Sequence, residues 1–447
     1  MARRLSWLAW PVILSAPLLY VGFVRAYGVN VPYWDDWDQT QLIVNARLGT
    51  LRFADLWRQL GENRMLLPNA LFLADAWWNH YNVKALLYLS AAFLALATAL
   101  VVWAYRKHNP RASLFALAPF TILLFSPCQH QGTLWATYLS GYMAFAGTVA
   151  AVVLLAEVPG WWGLAFAAGC AVVGSLSALQ GLFVWPCALL AAWATRRPRA
   201  QVMAWCAAAA VMTALYFRGF AFSNTGSPGL AFNLTHPWLT VQCILAGLGN
   251  PLLVSSGDGG PGPFSLAEAF GAVSLTLCGF LLLRLWRADR PSSAVPLALA
   301  AFGALFAVSA GIERAGAGLS EMFASRYSLY SLLLLVASWW SLSALWRRSS
   351  DRWIAAAGGA AAALLVLQGT SAYALAPAGM NAVWQWREHC AYVLTHLRAE
   401  SDAAITGSLW YNAPQVRSDS LILKKYGLTA FYTSATTYHA DGTVVAK

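Results

Sequence analysis

Val31-Pro32-Tyr33-Trp34-Asp35-Asp36-Trp37-Asp38-Gln39 sets three carboxylates among three aromatic side chains. Apolar runs flank it, residues 5–25 before and 83–104 after. A membrane-spanning helix needs about 20 mostly apolar residues, so the stretch reads as part of a loop between two spans. That loop, residues 26–82, holds six of the 18 acidic residues: Asp35, Asp36, Asp38, Asp55, Glu62 and Asp75. One acid before a first helical turn caps free N–H groups and meets the helix dipole favourably. Three acids packed together repel one another and raise at least one pKa, an arrangement characteristic of catalytic sites.

The loop carries its own helical pattern. Residues 39–48 show helical apolar spacing and stop at Gly49. Phe53, Leu56, Trp57 and Leu60 recur at i, i+3, i+4 and i+7, and Gly61 follows. Such helices lie along the interface with the apolar face down. Gly61-Glu62-Asn63-Arg64-Met65-Leu66-Leu67-Pro68 follows. Its polar residues fit either a loop-borne site or a capped turn before a helix that starts near Pro68. A third amphipathic segment runs through Trp77-Trp78-Asn79-His80.

Outward from the loop, the 447-residue chain reads as an all-α polytopic membrane protein. It is 59% hydrophobic and 11% charged, with mean hydropathy +0.54. Soluble domains carry about 25% charged residues, so a soluble enzyme, a disordered chain and a secreted disulfide scaffold are excluded. Eleven spans are predicted, at 5–25, 83–104, 112–128, 137–156, 161–176, 181–195, 201–217, 266–284, 294–312, 326–346 and 353–375. The fifth and sixth are short and read either as two spans or as one re-entrant pair. A second long loop covers 218–265. The predicted organisation is a transmembrane module, 1–375, and a small α+β segment, 376–447. The first run follows Arg3-Arg4 and continues through Leu18-Leu19-Tyr20-Val21 without a small-x-small site, so it reads as an uncleaved anchor.

The formal charge of +11 comes from 29 Lys+Arg against 18 Asp+Glu. With the N-terminus cytoplasmic, 14 basic and three acidic residues fall in cytoplasmic loops, and 15 of each sign fall outside. The whole excess is positive-inside, so it implies no nucleic-acid partner, and the odd number of spans puts the C-terminus outside. The seven cysteines form no CxxC pair and no metal spacing with histidine.

Asp35-Asp36 in the first outside loop, the interfacial helices over 39–60 and the run of spans after them resemble the C-type glycosyltransferase (GT-C) superfamily. Protein mannosyltransferases, the lipid A aminoarabinose transferase and mycobacterial arabinosyltransferases share that plan. Glu62-Asn63-Arg64 with Pro68, Phe125-Ser126-Pro127, Leu248-Gly249-Asn250-Pro251 and Ser325-Arg326-Tyr327 look like features of bacterial GT-C-like proteins of unassigned substrate. The resemblance implies a GT-C-like fold in a bacterial inner membrane, with the chemistry on the periplasmic side. It implies a polyprenyl-phosphate sugar donor and a glycan, glycolipid or protein acceptor such as a pilin.

The resemblance also implies a mechanism that fits the residues. One carboxylate suffices as general base on the acceptor hydroxyl. The phosphate leaving group needs cationic stabilisation and no acid, and direct displacement inverts the anomeric centre. Asp35 is the expected base, with Asp36 orienting the acceptor or assisting. Arg326 in Ser325-Arg326-Tyr327 is the expected phosphate ligand, since arginine holds phosphate bidentately and stays charged. Arg314, beside Glu313, and Arg64 are the runners-up. Glu62, Asn63, Arg64, Asp38 and Tyr327 complete the expected substrate-binding set. His130 and Gln131, in Cys128-Gln129-His130-Gln131-Gly132-Thr133-Leu134-Trp135, suit sugar recognition or equally a short polar loop. No cofactor is called for. A divalent metal is not favoured, because this second outside loop carries no acid and the histidines show no metal spacing.

Three alternatives stay in view. A transporter or flippase places charges at mid-membrane in broken helices, whereas the predicted spans are nearly free of charge. An O-antigen ligase or polymerase carries its main outside loop late in the chain, where only 218–265 qualifies. A non-catalytic partner in envelope assembly would use the C-terminal segment for docking.

Overall fold

Among the described residues, eight helices are long and apolar enough to cross a bilayer: Ala9–Tyr27, Val83–His108, Ala136–Glu157, Arg199–Phe217, Ser265–Ala288, Pro291–Ala317, Ser325–Trp346 and Arg352–Thr395. Two shorter apolar helices, Gly160–Ser175 and Leu179–Ala194, stand where the short fifth and sixth spans were predicted. These elements belong to a computed structural model that describes residues 6–222, 229–252, 264–346, 351–432, 436–438 and 444–446. The protein is an all-α, multi-pass membrane protein. Parts of the second long loop predicted over 218–265, residues 223–228 and 253–263, lie outside the described residues.

In chain order the helices are α1 (Ala9–Tyr27), α2 (Asp36–Arg47), α3 (Phe53–Leu56), α4 (Leu66–Trp78), α5 (Val83–His108), α6 (Ala118–Leu124) and α7 (His130–Thr133). They continue as α8 (Leu139–Glu157), α9 (Gly160–Ser175), α10 (Val184–Ala194), α11 (Arg199–Phe217), α12 (Gly229–Thr235) and α13 (Pro237–Gly249). Then come α14 (Phe264–Ala288), α15 (Ala294–Arg314), α16 (Ser328–Leu345), α17 (Arg352–Thr395), α18 (Asp402–Ser408) and α19 (Ala413–Lys425).

The third predicted span, 112–128, is not one helix. Pro119 and Pro127 confine regular α-helix to α6, with single 3-10 turns at Leu114–Leu117 and Pro127–Gln129. Buried side chains take up the backbone and side-chain groups this break releases. Gln129 Nε2 donates to the Leu124 carbonyl at 2.7 Å, and Gln368 Nε2 from α17 donates to Ser126 Oγ at 2.7 Å. Irregular backbone at membrane depth survives only where protein satisfies it in this way.

Helix ends sort to two faces. Glu157 bonds His108 at 2.7 Å and Lys107 at 3.0 Å. Arg197 donates to the Leu155 and Val158 carbonyls, Arg290 to the Trp193 carbonyl, and Arg284 pairs with Asp351. These contacts gather on one face the loops that sequence analysis grouped as cytoplasmic. On the other face, Asn63 Oδ1 accepts from the Leu179 N–H at 2.9 Å. The turn between the two short helices thus lies against the first loop.

Small residues let the helices approach closely. A Cβ on Gly147 would lie 2.8 Å from the Cys170 carbonyl oxygen and from the Gly174 nitrogen, so α8 and α9 meet backbone to backbone there. Gly147→Leu is expected to cost at least the ~1–3 kcal/mol of an overpacked core. A lowered melting temperature of the detergent-solubilised protein checks this.

The first loop holds the helix expected over 39–48 as Asp36–Arg47, but the helical spacing read over Phe53–Leu60 gives only the single turn Phe53–Leu56, and Leu60 lies in a strand. α2, α3 and α4 follow in order, and a two-residue hairpin, Gln59–Leu60 against Asn63–Arg64, turns at Gly61 with φ +55°. The predicted boundary at 375/376 falls inside the 44-residue α17, which runs unbroken into the C-terminal segment. That segment holds α18, α19 and an antiparallel strand pair, Thr436–Tyr438 with Val444–Ala446. It clamps the first loop. The Trp34 N–H donates to the Leu409 carbonyl at 2.8 Å, the Thr429 N–H donates to the His80 carbonyl at 2.8 Å, and His80 stacks on Tyr432 at 3.9 Å.

Candidate active site

The acidic turn is shaped by Trp34, whose φ of +48° lies in the left-handed region. A non-glycine residue there costs of order 1–3 kcal/mol and persists only where its surroundings over-determine it. The Leu409 bond to its N–H and the Tyr33–Trp34 ring contact, 6.3 Å between centroids, hold it. Asp35 follows with helical angles, φ −60° and ψ −17°, and so joins the first turn of α2. At about 100° per residue, Asp35 and Asp38 share one side of the helix and Asp36 points elsewhere.

Asp35 and Asp38 line a cavity of about 410 Å³ on the face of the first loop. Glu62, Asn63, Thr137, Tyr138, Gln180, Glu313, Arg314, Arg326 and Tyr327 also line it. Asp35 is open to the cavity yet enclosed by its walls. Burial, then the like charges of Asp36 and Asp38, push its carboxyl up to about 6, and Arg326 pulls partly against them. Burial also raises the Asp38 carboxyl, against the pull of Arg58, whose Nη2 lies 3.1 Å away. Arg314 sits between Glu313 at 3.4 Å and Glu62 at 3.7 Å. The Tyr138 hydroxyl donates to the Arg326 carbonyl and fixes the backbone of that arginine at the cavity wall.

Four expected site residues do not line this cavity: Asp36 and Arg64, which are turned into the protein, and His130 and Gln131. Asp36 is 1% exposed and turned into the protein. Its Oδ1 accepts from the Thr137 N–H at 2.7 Å and the Thr137 hydroxyl at 2.5 Å, and its Oδ2 accepts from the Tyr33 N–H at 3.1 Å. Burial drives its carboxyl upward, while Arg387 and these hydrogen bonds oppose the shift. Expected to orient the acceptor or assist, it does not line the cavity and instead ties Tyr33 and Thr137 together beneath Asp35. Arg64 does not line the cavity either. Its guanidinium donates to the carbonyls of Trp57, Tyr216 and Arg218, so it ties the hairpin to α11.

His130 and Gln131 line a second, adjoining cavity of about 420 Å³. It is walled by Tyr33, Trp34, Trp135, Glu321, Arg326, Ala382, Trp386 and Arg387 among others. Burial pushes the His130 imidazole down to about 4, so it is neutral near pH 7. Trp34, Trp135 and Arg326 belong to both cavities and form the partition.

Sequence reading missed Thr137, Tyr138, Gln180 and Arg387 as members of the site. Arg387 lies with its Cζ 3.3 Å from the centroid of Tyr33, in the residue range read as the start of a separate C-terminal segment. Among the described residues, no group of three or more His, Cys, Asp or Glu side chains converges as a metal site.

No known protein family, curated protein or solved structure matches the chain.

Proposed function

We propose that the protein is a membrane glycosyltransferase that moves a sugar from a polyprenyl-phosphate donor to a hydroxyl acceptor, with inversion. One observation carries this reading. Asp35, with its carboxyl pushed up to about 6, lines the same cavity as Arg326. A base whose pKa lies just below neutrality is largely ionised at pH 7 and still basic enough to take a proton. In the proposed step the acceptor oxygen bonds to the anomeric carbon and its proton passes to the Asp35 carboxylate. The bond from that carbon to the phosphate oxygen breaks, and its electron pair leaves with polyprenyl phosphate. Arg326 offsets the charge that develops there. Asp38, Glu62, Asn63, Gln180 and Tyr327 supply hydrogen-bonding groups for sugar hydroxyls. The eight membrane-length helices, the two shorter apolar helices and the broken segment over 112–128 are read together as eleven crossings, with the basic face cytoplasmic and the cavity face periplasmic.

The test is transfer from polyprenyl-phosphate sugars in membranes that carry the protein. Arg326→Ala is expected to lower the rate about 10²–10³-fold, the loss seen when a preorganised donor to a developing anion is removed. Undiminished transfer would remove Arg326 from the site. Vectorial movement of a lipid or solute with no transfer from any donor would favour a transporter. Topology is checked separately with Ala403→Cys, at an exposed position of α18. Labelling by a membrane-impermeant maleimide from the periplasmic side is expected, and labelling only from the cytoplasm would overturn the orientation and the mechanism together.

A further inference from the structure

The two cavities that share Arg326 are opposite in charge. The first faces four carboxylates, Asp35, Asp38, Glu62 and Glu313, toward two arginines, Arg314 and Arg326. The second faces two arginines, Arg326 and Arg387, toward a single carboxylate, Glu321. The two guanidiniums of the second cavity are set along one aromatic wall. Arg387 lies on Tyr33, Tyr33 meets Trp135 edge to face at 5.9 Å, and Trp135 lies 5.8 Å from the Cζ of Arg326. The Trp135 Nε1–H donates to the Tyr33 carbonyl at 3.3 Å and locks the pair. Stacking engages the face of a guanidinium, whereas bidentate phosphate contacts run in its plane. The opposite wall comes from Gly379, Ala382, Val383 and Trp386 of α17, the helix that continues from a membrane-length apolar segment. A Cβ at Gly379 would come within 2.9 Å of the His130 Nε2, so the glycine gives the histidine its place there.

We infer that this second cavity is an anion site for the phosphate group of the lipid-linked substrate, held by Arg387 together with Arg326. The assignment of the lipid rests on the transferase reading. The sugar then reaches past the Trp34–Trp135 partition to Asp35. Attack takes place on the acidic side and the phosphate departs on the basic side. Arg387 also faces Asp36, so one residue links the anion site to the turn that carries the base.

The test is binding, not turnover. Polyprenyl phosphate is titrated into the purified full-length protein in detergent, with inorganic phosphate as a second titrant. Ala382→Phe places a ring in the cavity from an exposed position and leaves the Asp36 bonds intact. Arg387→Lys keeps the charge beside Asp36 and removes the planar fork. Each variant is expected to weaken polyprenyl-phosphate binding at least tenfold while its melting temperature stays near that of the parent. Unchanged affinity in both variants overturns the site. Inorganic phosphate binding as tightly as the lipid overturns the lipid assignment. Binding that the variants lose, with no transfer from any donor, would keep the anion site and sink the transferase. Transfer with unaltered binding in the variants would do the reverse.

Discussion

Asp35→Asn is expected to lower sugar transfer by about 10²–10⁴-fold, the range typical of a lost general base. The same substitution is expected to raise the melting temperature at pH 8. Both effects follow from one cause. The carboxyl is pushed from 3.8 to about 6 because burial and the neighbouring charges of Asp36 and Asp38 disfavour its ionised form. The folded state therefore binds this proton more tightly than the unfolded chain does. Below about pH 4 both states hold the proton and the group costs nothing. As pH rises toward about 6 the unfolded chain releases its proton first, and the folded state loses that increment of stability. Above about 6 the loss is complete, so an uncharged asparagine gains most at pH 8 and nothing at pH 4. Asp35 is exposed, and solvent screening keeps the gain small. The rate for the unaltered protein should run the other way, rising with pH through about 6 as the base ionises. A melting temperature that falls equally at pH 4 and pH 8 would make Asp35 a structural residue.

Much of this arrangement is legible in the sequence, and its limits have physical causes. The loop position of the acids, the helix after them and the stop at Gly49 follow from local pattern. The division of labour among the acids was legible too, had helical phase been applied from Asp35 onward. Residues i and i+3 share a face, so Asp35 and Asp38 belong together and Asp36 points away. Other features were not legible. A left-handed tryptophan carries no sequence signal, since the conformation is imposed by the distant Leu409 carbonyl. Arg387 reaches the site only because α17 runs unbroken past the predicted end of the membrane module. Arg64 and Arg326 look alike in sequence, each an arginine in a polar turn. Three backbone carbonyls occupy the guanidinium of Arg64, and only the fold shows that Arg326 instead lines both cavities.

Asp36→Ala is expected to produce the opposite pattern to Asp35→Asn, a loss of stability first and of activity as its consequence. The carboxylate of Asp36 is buried, accepts three hydrogen bonds and faces the buried Arg387. Removing it leaves buried donors without their acceptor, which costs about 1–3 kcal/mol, and takes away the charge that Arg387 acts on. The donors include the Thr137 and Tyr33 N–H groups, so Trp34 and Asp35 lose the segment that sets their direction. A melting temperature within a degree of the parent would show that Asp36 is not what holds the turn. Thr137→Val is expected to cost less, because it removes the hydroxyl bond and keeps the backbone one. The decisive comparison adds Arg387→Met to Asp36→Asn. Replacing both charges of a buried pair is often neutral, so the double variant should recover much of the stability lost by the single one. It should not recover binding of polyprenyl phosphate, because the arginine that holds the anion is gone. Stability restored without binding would separate the two tasks of Arg387, to balance Asp36 behind the turn and to meet the phosphate in front of it.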